Sequence, residues 1–177
     1  MSIVYLSIDD CKQRCFPYIR ENLHYEHLPK YEKEPEHMKI LESILFFVRQ
    51  DSLYKNFQEK AAYLFCSIAN GHAFTNGNKR LAATLLRYFL SDNKVKTVDV
   101  STGQWQELLK SVFPAYAWQG AGINDPFYLF LYNLAFIAAD GQLRPGTNFE
   151  VLKDVITAIF GRIFEVPQDC LPTQESV

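Results

Sequence analysis

Nine consecutive residues, His72-Ala73-Phe74-Thr75-Asn76-Gly77-Asn78-Lys79-Arg80, concentrate the chemistry of this chain. They hold a titratable base, two amides, a glycine and two adjacent cations. A helix start presents unpaired backbone N–H groups and the positive end of a dipole, so it attracts phosphate. Gly77 permits close backbone approach, and Lys79 and Arg80 add charge, Arg80 as a planar fork that matches phosphate oxygens. His72, at the other end of the stretch, can take a proton from a hydroxyl that attacks the bound phosphate. Phe74 reads as an apolar pin holding the loop to the core, and Asn76 offers a weak oxygen ligand for a metal. By residue type alone, a solvated junction between two helices accounts for the same charges.

Such a loop needs a helix on each side, and the flanking sequence supplies them. Residues 57–70 place Ala61, Leu64, Phe65 and Ile68 on one face, and residues 81–90 place Leu81, Leu85, Tyr88 and Phe89 likewise. Upstream, Ile8, Cys11, Cys15, Phe16, Ile19 and Leu23 form a face that Pro17 should kink or split. Ser7, Asp9 and Asp10 are candidate starts for it. Residues 22–37 contain Pro29 and Pro35 and read as an irregular connection. Met38, Leu41, Ile44, Leu45 and Val48 open another helical face, although residues 45–48 suit a short strand equally and residues 49–52 a turn.

Downstream, residues 94–100 alternate weakly, and Ser101 or Thr102 caps a helix that stops before Pro114. Asp125-Pro126 starts another helix and Gly141 ends it. Thr147 and Glu150 have capping-box spacing ahead of a last helix, and the tail after Pro167 should fray. The expectation is an all-α domain of about seven or eight helices.

Composition narrows the function. The 177 residues are 48% hydrophobic and 15% aromatic, enough for a sizeable core. A net charge of -2 argues against a dedicated nucleic-acid binder, while a nucleotide-sized anion needs only local charge. The most apolar run, residues 126–139, is too short for the roughly 20 residues of a membrane span, so a core helix is expected. No secretion signal opens the chain, and the four cysteines are sparse for a disulfide scaffold, which points to a cytoplasmic protein with reduced thiols. Cys11, Cys15, His24 and His27 have the residue types for zinc but not its usual spacing, and both cysteines fall on an apolar face. His24, His27 and His37 read as solvated surface.

At the loop the chain resembles the Fic/Doc family. The family pattern is His-x-Phe-x-(Asp/Glu/Asn)-(Gly/Ala)-Asn-(Gly or Lys)-Arg. His72, Phe74, Asn76, Gly77, Asn78, Lys79 and Arg80 fill it in register. A near-fixed position matches by chance about one time in twenty, so five or six together are not accidental. The resemblance implies a Fic-like helical bundle with the loop between two central helices and a small β-hairpin flap upstream, where residues 44–54 lie. It spans residues 3–112, so a core of residues 1–112 is expected, with residues 113–177 as a C-terminal helical extension packed on it.

Proteins of the family transfer part of a nucleotide to a target-protein hydroxyl. By that resemblance His72 is the general base, Gly77, Asn78, Lys79 and Arg80 line the phosphate cradle, and position 76 is where a Mg²⁺ ligand usually stands. Lysine at position 79 is similar to the Doc-like (death-on-curing) branch. There ATP or another nucleoside triphosphate binds reversed, and the γ-phosphate is transferred to a Ser, Thr or Tyr. AMP transfer (AMPylation) on the same site and a degenerate, non-catalytic binding module are the alternatives. Asn76 holds Mg²⁺ less well than a carboxylate would. Many members are restrained by a (Ser/Thr)-x-x-x-Glu helix. No Ser or Thr in this sequence has Glu four residues later, so either an antitoxin partner supplies that helix in trans, as in toxin–antitoxin pairs, or the protein is unrestrained because it is weak.

Overall fold

The computed structural model describes residues 3–23, 27–71, 73–120, 122–141 and 148–170. The chain enters through Ser7, whose hydroxyl caps α1 (Ile8–Asp10) in a reciprocal capping box with Asp10. A π-helical turn, Cys11–Cys15, then leads into α2 (Phe16–Asn22), which has Pro17 in its first turn. The π turn answers the expected kink: a proline ring clashes with the carbonyl four residues back, and the wider turn carries the chain past it. Leu23 ends this helical stretch, and a 3₁₀ turn (Tyr31–Lys33) precedes α3 (Pro35–Phe47).

Two readings of the upstream half change here. Pro35 does not break structure; it occupies the first turn of α3, where a missing N–H costs nothing, so the helix starts before Met38. The β-hairpin flap expected at residues 44–54 is not there: Ile44 to Phe47 complete α3, and residues 48–53 are turns. The strand pairing lies elsewhere. Lys96–Thr97 (β1) pairs antiparallel with Phe164–Glu165 (β2), a two-stranded sheet joining distant parts of the chain.

α4 (Phe57–Asn70), capped by the Asn56 side chain, and α5 (Asn78–Asp92) form the centre. α4 packs against α3, α5, α7 (Pro126–Ala139) and α8 (Phe149–Ile163), and α5 against the π turn, α2 and α7. α6 (Thr102–Val112), with Ser101 and Gln104 in a capping box, packs on α7, where Trp105 stacks on Phe130 at 4.4 Å between centroids. Asp125 caps α7 through the Tyr128 N–H, and Asn148 caps α8; Thr147, the expected cap, lies outside the described residues. One hydrophobic cluster runs from Leu6 to Cys170. α7 is buried on nearly all sides, which explains its continuous apolar composition. Among the described residues no helix is long and apolar enough to cross a membrane.

The one amide inside α7 is fully engaged. Asn133 Oδ1 accepts from Tyr116 Oη and the Gln119 N–H, both at 2.7 Å, and its Nδ2 donates to the Gln119 and Leu129 carbonyls at 3.1 and 2.8 Å. It fastens the irregular segment after α6 to the core. Asn133→Leu removes the amide at a site that is 0% exposed and leaves the Tyr116 hydroxyl and the Gln119 backbone groups without it. It is expected to cost about 2–4 kcal/mol, read as a lower urea midpoint with unchanged slope and faster proteolysis near Tyr116.

Candidate functional site

Residues 71–77 join α4 to α5, and a set of short contacts fixes this loop. Phe74 is 1% exposed, between Tyr31 at 4.8 Å and Phe16 at 6.2 Å between ring centroids. Its ring is packed into the core beside both. Asn78, first residue of α5, turns its amide back: Oδ1 accepts from the Phe74 N–H at 2.8 Å and Nδ2 donates to the Phe74 carbonyl at 2.6 Å. Both ends of that side chain thus hold the loop closed.

Gly77 precedes α5 in the left-handed region, at φ +83°. Its carbonyl accepts from Tyr31 Oη at 2.9 Å, and a Cβ placed on it would lie 2.4 Å from that oxygen and 2.9 Å from Pro29. Burial pushes the Tyr31 phenol well above its ordinary value, against the nearby Arg80 charge, so the hydroxyl stays neutral and donates. No side chain caps α5, and its first turn carries no acidic residue. A glycine in the N-cap position thus starts a 15-residue helix with no side-chain cap hydrogen bond among the described residues.

Adjacent cations part company here, because successive helical residues point about 100° apart. Lys79 turns toward α7, its ammonium 4.6 Å from the centre of the Phe136 ring. Arg80 turns inward, 0% exposed, and donates from Nη1 to the Leu23 carbonyl at 2.9 Å and from Nη2 to the His27 carbonyl at 2.8 Å. Asn76 Nδ2 reaches the same His27 carbonyl at 3.3 Å, while Asn76 Oδ1 accepts the Gly77 N–H at 2.6 Å. The fork expected to grip phosphate is, in this conformation, tying the residue 23–27 connection to α5. α7 also holds the backbone: Tyr128 Oη donates to the Arg80 carbonyl at 3.1 Å and lies 2.8 Å from Thr84 Oγ1. The motif helix is thus positioned in part by residues from the last third of the chain.

Of the sequence-derived site residues, the structure brings Phe74, Asn76, Gly77, Asn78, Lys79 and Arg80 together around the start of α5. His72, the expected base, lies outside the described residues, between exposed Gly71 and buried Ala73. His24 lies outside them as well. Cys11 and Cys15 are buried free thiols, and His27 is exposed.

Residue-by-residue reading missed Tyr31, Glu34 and His37. Glu34 Oε2 accepts the Thr75 N–H at 2.9 Å and the Thr75 hydroxyl at 2.8 Å, and His37 Nδ1 lies 3.1 Å from the same oxygen. His37 is therefore part of the loop's surroundings rather than plain solvated surface. The only hint in the sequence was a tyrosine and a glutamate between two prolines, without a helical period to place them.

The fold and this loop define a helical protein whose central helix–loop–helix carries an open helix start beside fixed polar groups. The Fic/DOC family model matches residues 15–90, from the end of the π turn to near the end of α5 and including the whole loop. The match is shorter than the stretch over which the resemblance was expected. Comparison with curated proteins and with solved structures returns no match.

Proposed function

We propose that this loop is the active site of a protein-modifying transferase of the Fic/Doc type. In its Doc-like form the enzyme moves the γ-phosphate of ATP or another nucleoside triphosphate to a Ser, Thr or Tyr of a target protein. The observation that carries the reading is the start of α5: a helix that begins at Gly77 with no side-chain cap among the described residues, inside the motif from His72 to Arg80. His72 is assigned the proton of the target hydroxyl. The hydroxyl oxygen bonds to the γ-phosphorus as the bond to the β–γ bridging oxygen breaks, and the nucleoside diphosphate leaves with the electron pair. Preorganised donors facing the transferred group do most of the work in such a transfer.

Phosphate charge is met first by the α5 N–H groups and by Lys79. Its ammonium rests on an aromatic ring, and no carboxylate pairs with it among the described residues. Arg80 joins the grip if the residue 23–27 connection releases its guanidinium. A bound Mg²⁺ would supply charge neutralisation to the phosphates. The oxygens beside the loop, from Asn76 and the Glu34 carboxylate, are hard donors of the type that ion takes. An antitoxin bringing a Ser-x-x-x-Glu helix remains the partner that would restrain this site.

Incubation with γ-labelled and α-labelled ATP and candidate targets separates the forms. Label from the γ position is expected; label from the α position alone would make the protein an AMP transferase. A second reading, a binding module without catalysis, is favoured by the commitment of Asn76 and Arg80 to the protein's own backbone. ATP binding by folded protein with no label on any target would establish it.

A further inference from the structure

Resting on that proposed function, we infer that Glu34 is the carboxylate ligand of a divalent cation at the loop, supplying the charge that position 76 lacks. Asn76 is poorly placed for the task. Its oxygen already accepts a 2.6 Å bond from the next N–H, and its nitrogen holds the His27 carbonyl. Glu34, 41 residues away in sequence, arrives at the adjacent Thr75 and is fixed there by two bonds to one oxygen. Its other oxygen, Oε1, makes no hydrogen bond among the described residues, and the side chain is 20% exposed. One carboxylate oxygen thus anchors the group on Thr75, and the second is left open to a ligand.

The electrostatics point to the same ligand. A carboxylate fixed on Thr75, two residues before the cradle begins at Gly77, opposes phosphate entry. A divalent cation between them turns that repulsion into a bridge. The other charged groups here do not relieve it. Lys79 lies over Phe136, Arg80 is held on two carbonyls, and His37 offsets the charge only when protonated. Among the described residues no group of three or more His, Cys, Asp or Glu could hold a metal, so these residues form no closed all-protein cage. Magnesium asks for less: one or two carboxylates, with water and substrate phosphates completing its shell.

The test uses the full chain and two probes. Mn²⁺ alone should broaden the Thr75 amide resonance in the wild type, an effect visible at low occupancy. The broadening should be lost in Glu34→Gln, whose amide oxygen keeps an acceptor for Thr75 without the charge. In calorimetry, Mg²⁺ should tighten ATP binding about tenfold for the wild type and less than about twofold for Glu34→Gln. Asn76→Asp added to Glu34→Gln should restore the dependence. Equal Mn²⁺ broadening in wild type and a folded Glu34→Gln, or none in either, would overturn the assignment. If neither protein binds ATP while the Mn²⁺ difference persists, the nucleotide reading fails and the metal assignment is supported.

Discussion

A chain ending at Val112 is expected to be unfolded. The helices it lacks, α7 and α8, both pack on α4, and α7 packs on α5 as well. Tyr128, Phe130, Leu131, Leu134, Leu152, Ile156 and Phe160 are each no more than 1% exposed, and their counterparts Leu64, Phe65, Leu81 and Leu85 are equally covered. Each buried side chain of this size contributes roughly 1.5–3 kcal/mol, while a whole domain is stable by only about 5–15 kcal/mol. Losing the burial of these side chains, and uncovering their counterparts, therefore forfeits at least as much as the net stability of a domain. The truncated chain should show no cooperative urea transition and little ordered helix by circular dichroism. A cooperative transition would mean that residues 1–112 fold as a unit and that the rest is an appendage.

Gly77→Ala is expected to be the most damaging single substitution in the loop. A left-handed conformation costs a residue with a Cβ about 1–2 kcal/mol, and the clash with Tyr31 and Pro29 adds about 1–3 kcal/mol. The fully buried Tyr31 ring is wedged between Phe16 and Phe74 and has little room to yield. A loss of about 2–5 kcal/mol is expected in urea unfolding. Adding Tyr31→Phe, which removes the oxygen a Cβ would meet at 2.4 Å, should cost less than the sum of the two single changes. Gly161→Ala is the control: no atom lies within 4 Å of its Cβ, and alanine in that exposed helical position should stabilise by about 0.5–1 kcal/mol. Equal effects at Gly77 and Gly161 would contradict the strained-glycine account.

What the sequence made legible is what depends on near neighbours. Helices with local caps read correctly, as at Ser101 with Gln104 and at Asp125 with Pro126, because cap and first turn lie within four residues. The apolar face of α4 and the nearly all-round burial of α7 followed from period and length. The loop's inventory was legible as well, since its residues are contiguous. What was not legible is long-range. Tyr31 meets Gly77 across 46 residues, Glu34 meets Thr75 across 41, and β1 pairs with a strand past α8. None of these pairings leaves a periodic trace. Arg80 shows the same limit: its charge suggested an outward grip, but its place in the helix turns it into the core, where backbone carbonyls of the residue 23–27 connection take it up.

The central claim is that the loop from His72 to Arg80 transfers phosphate from a nucleotide to protein. Its most direct test compares wild type with His72→Ala, both shown to be folded, using γ-labelled ATP, Mg²⁺ and a lysate of candidate targets. The account predicts labelled protein bands with the wild type and, because a general base contributes roughly 10²–10⁴-fold, none with His72→Ala. Undiminished labelling by His72→Ala, or no labelling by folded wild type free of any partner, would contradict it.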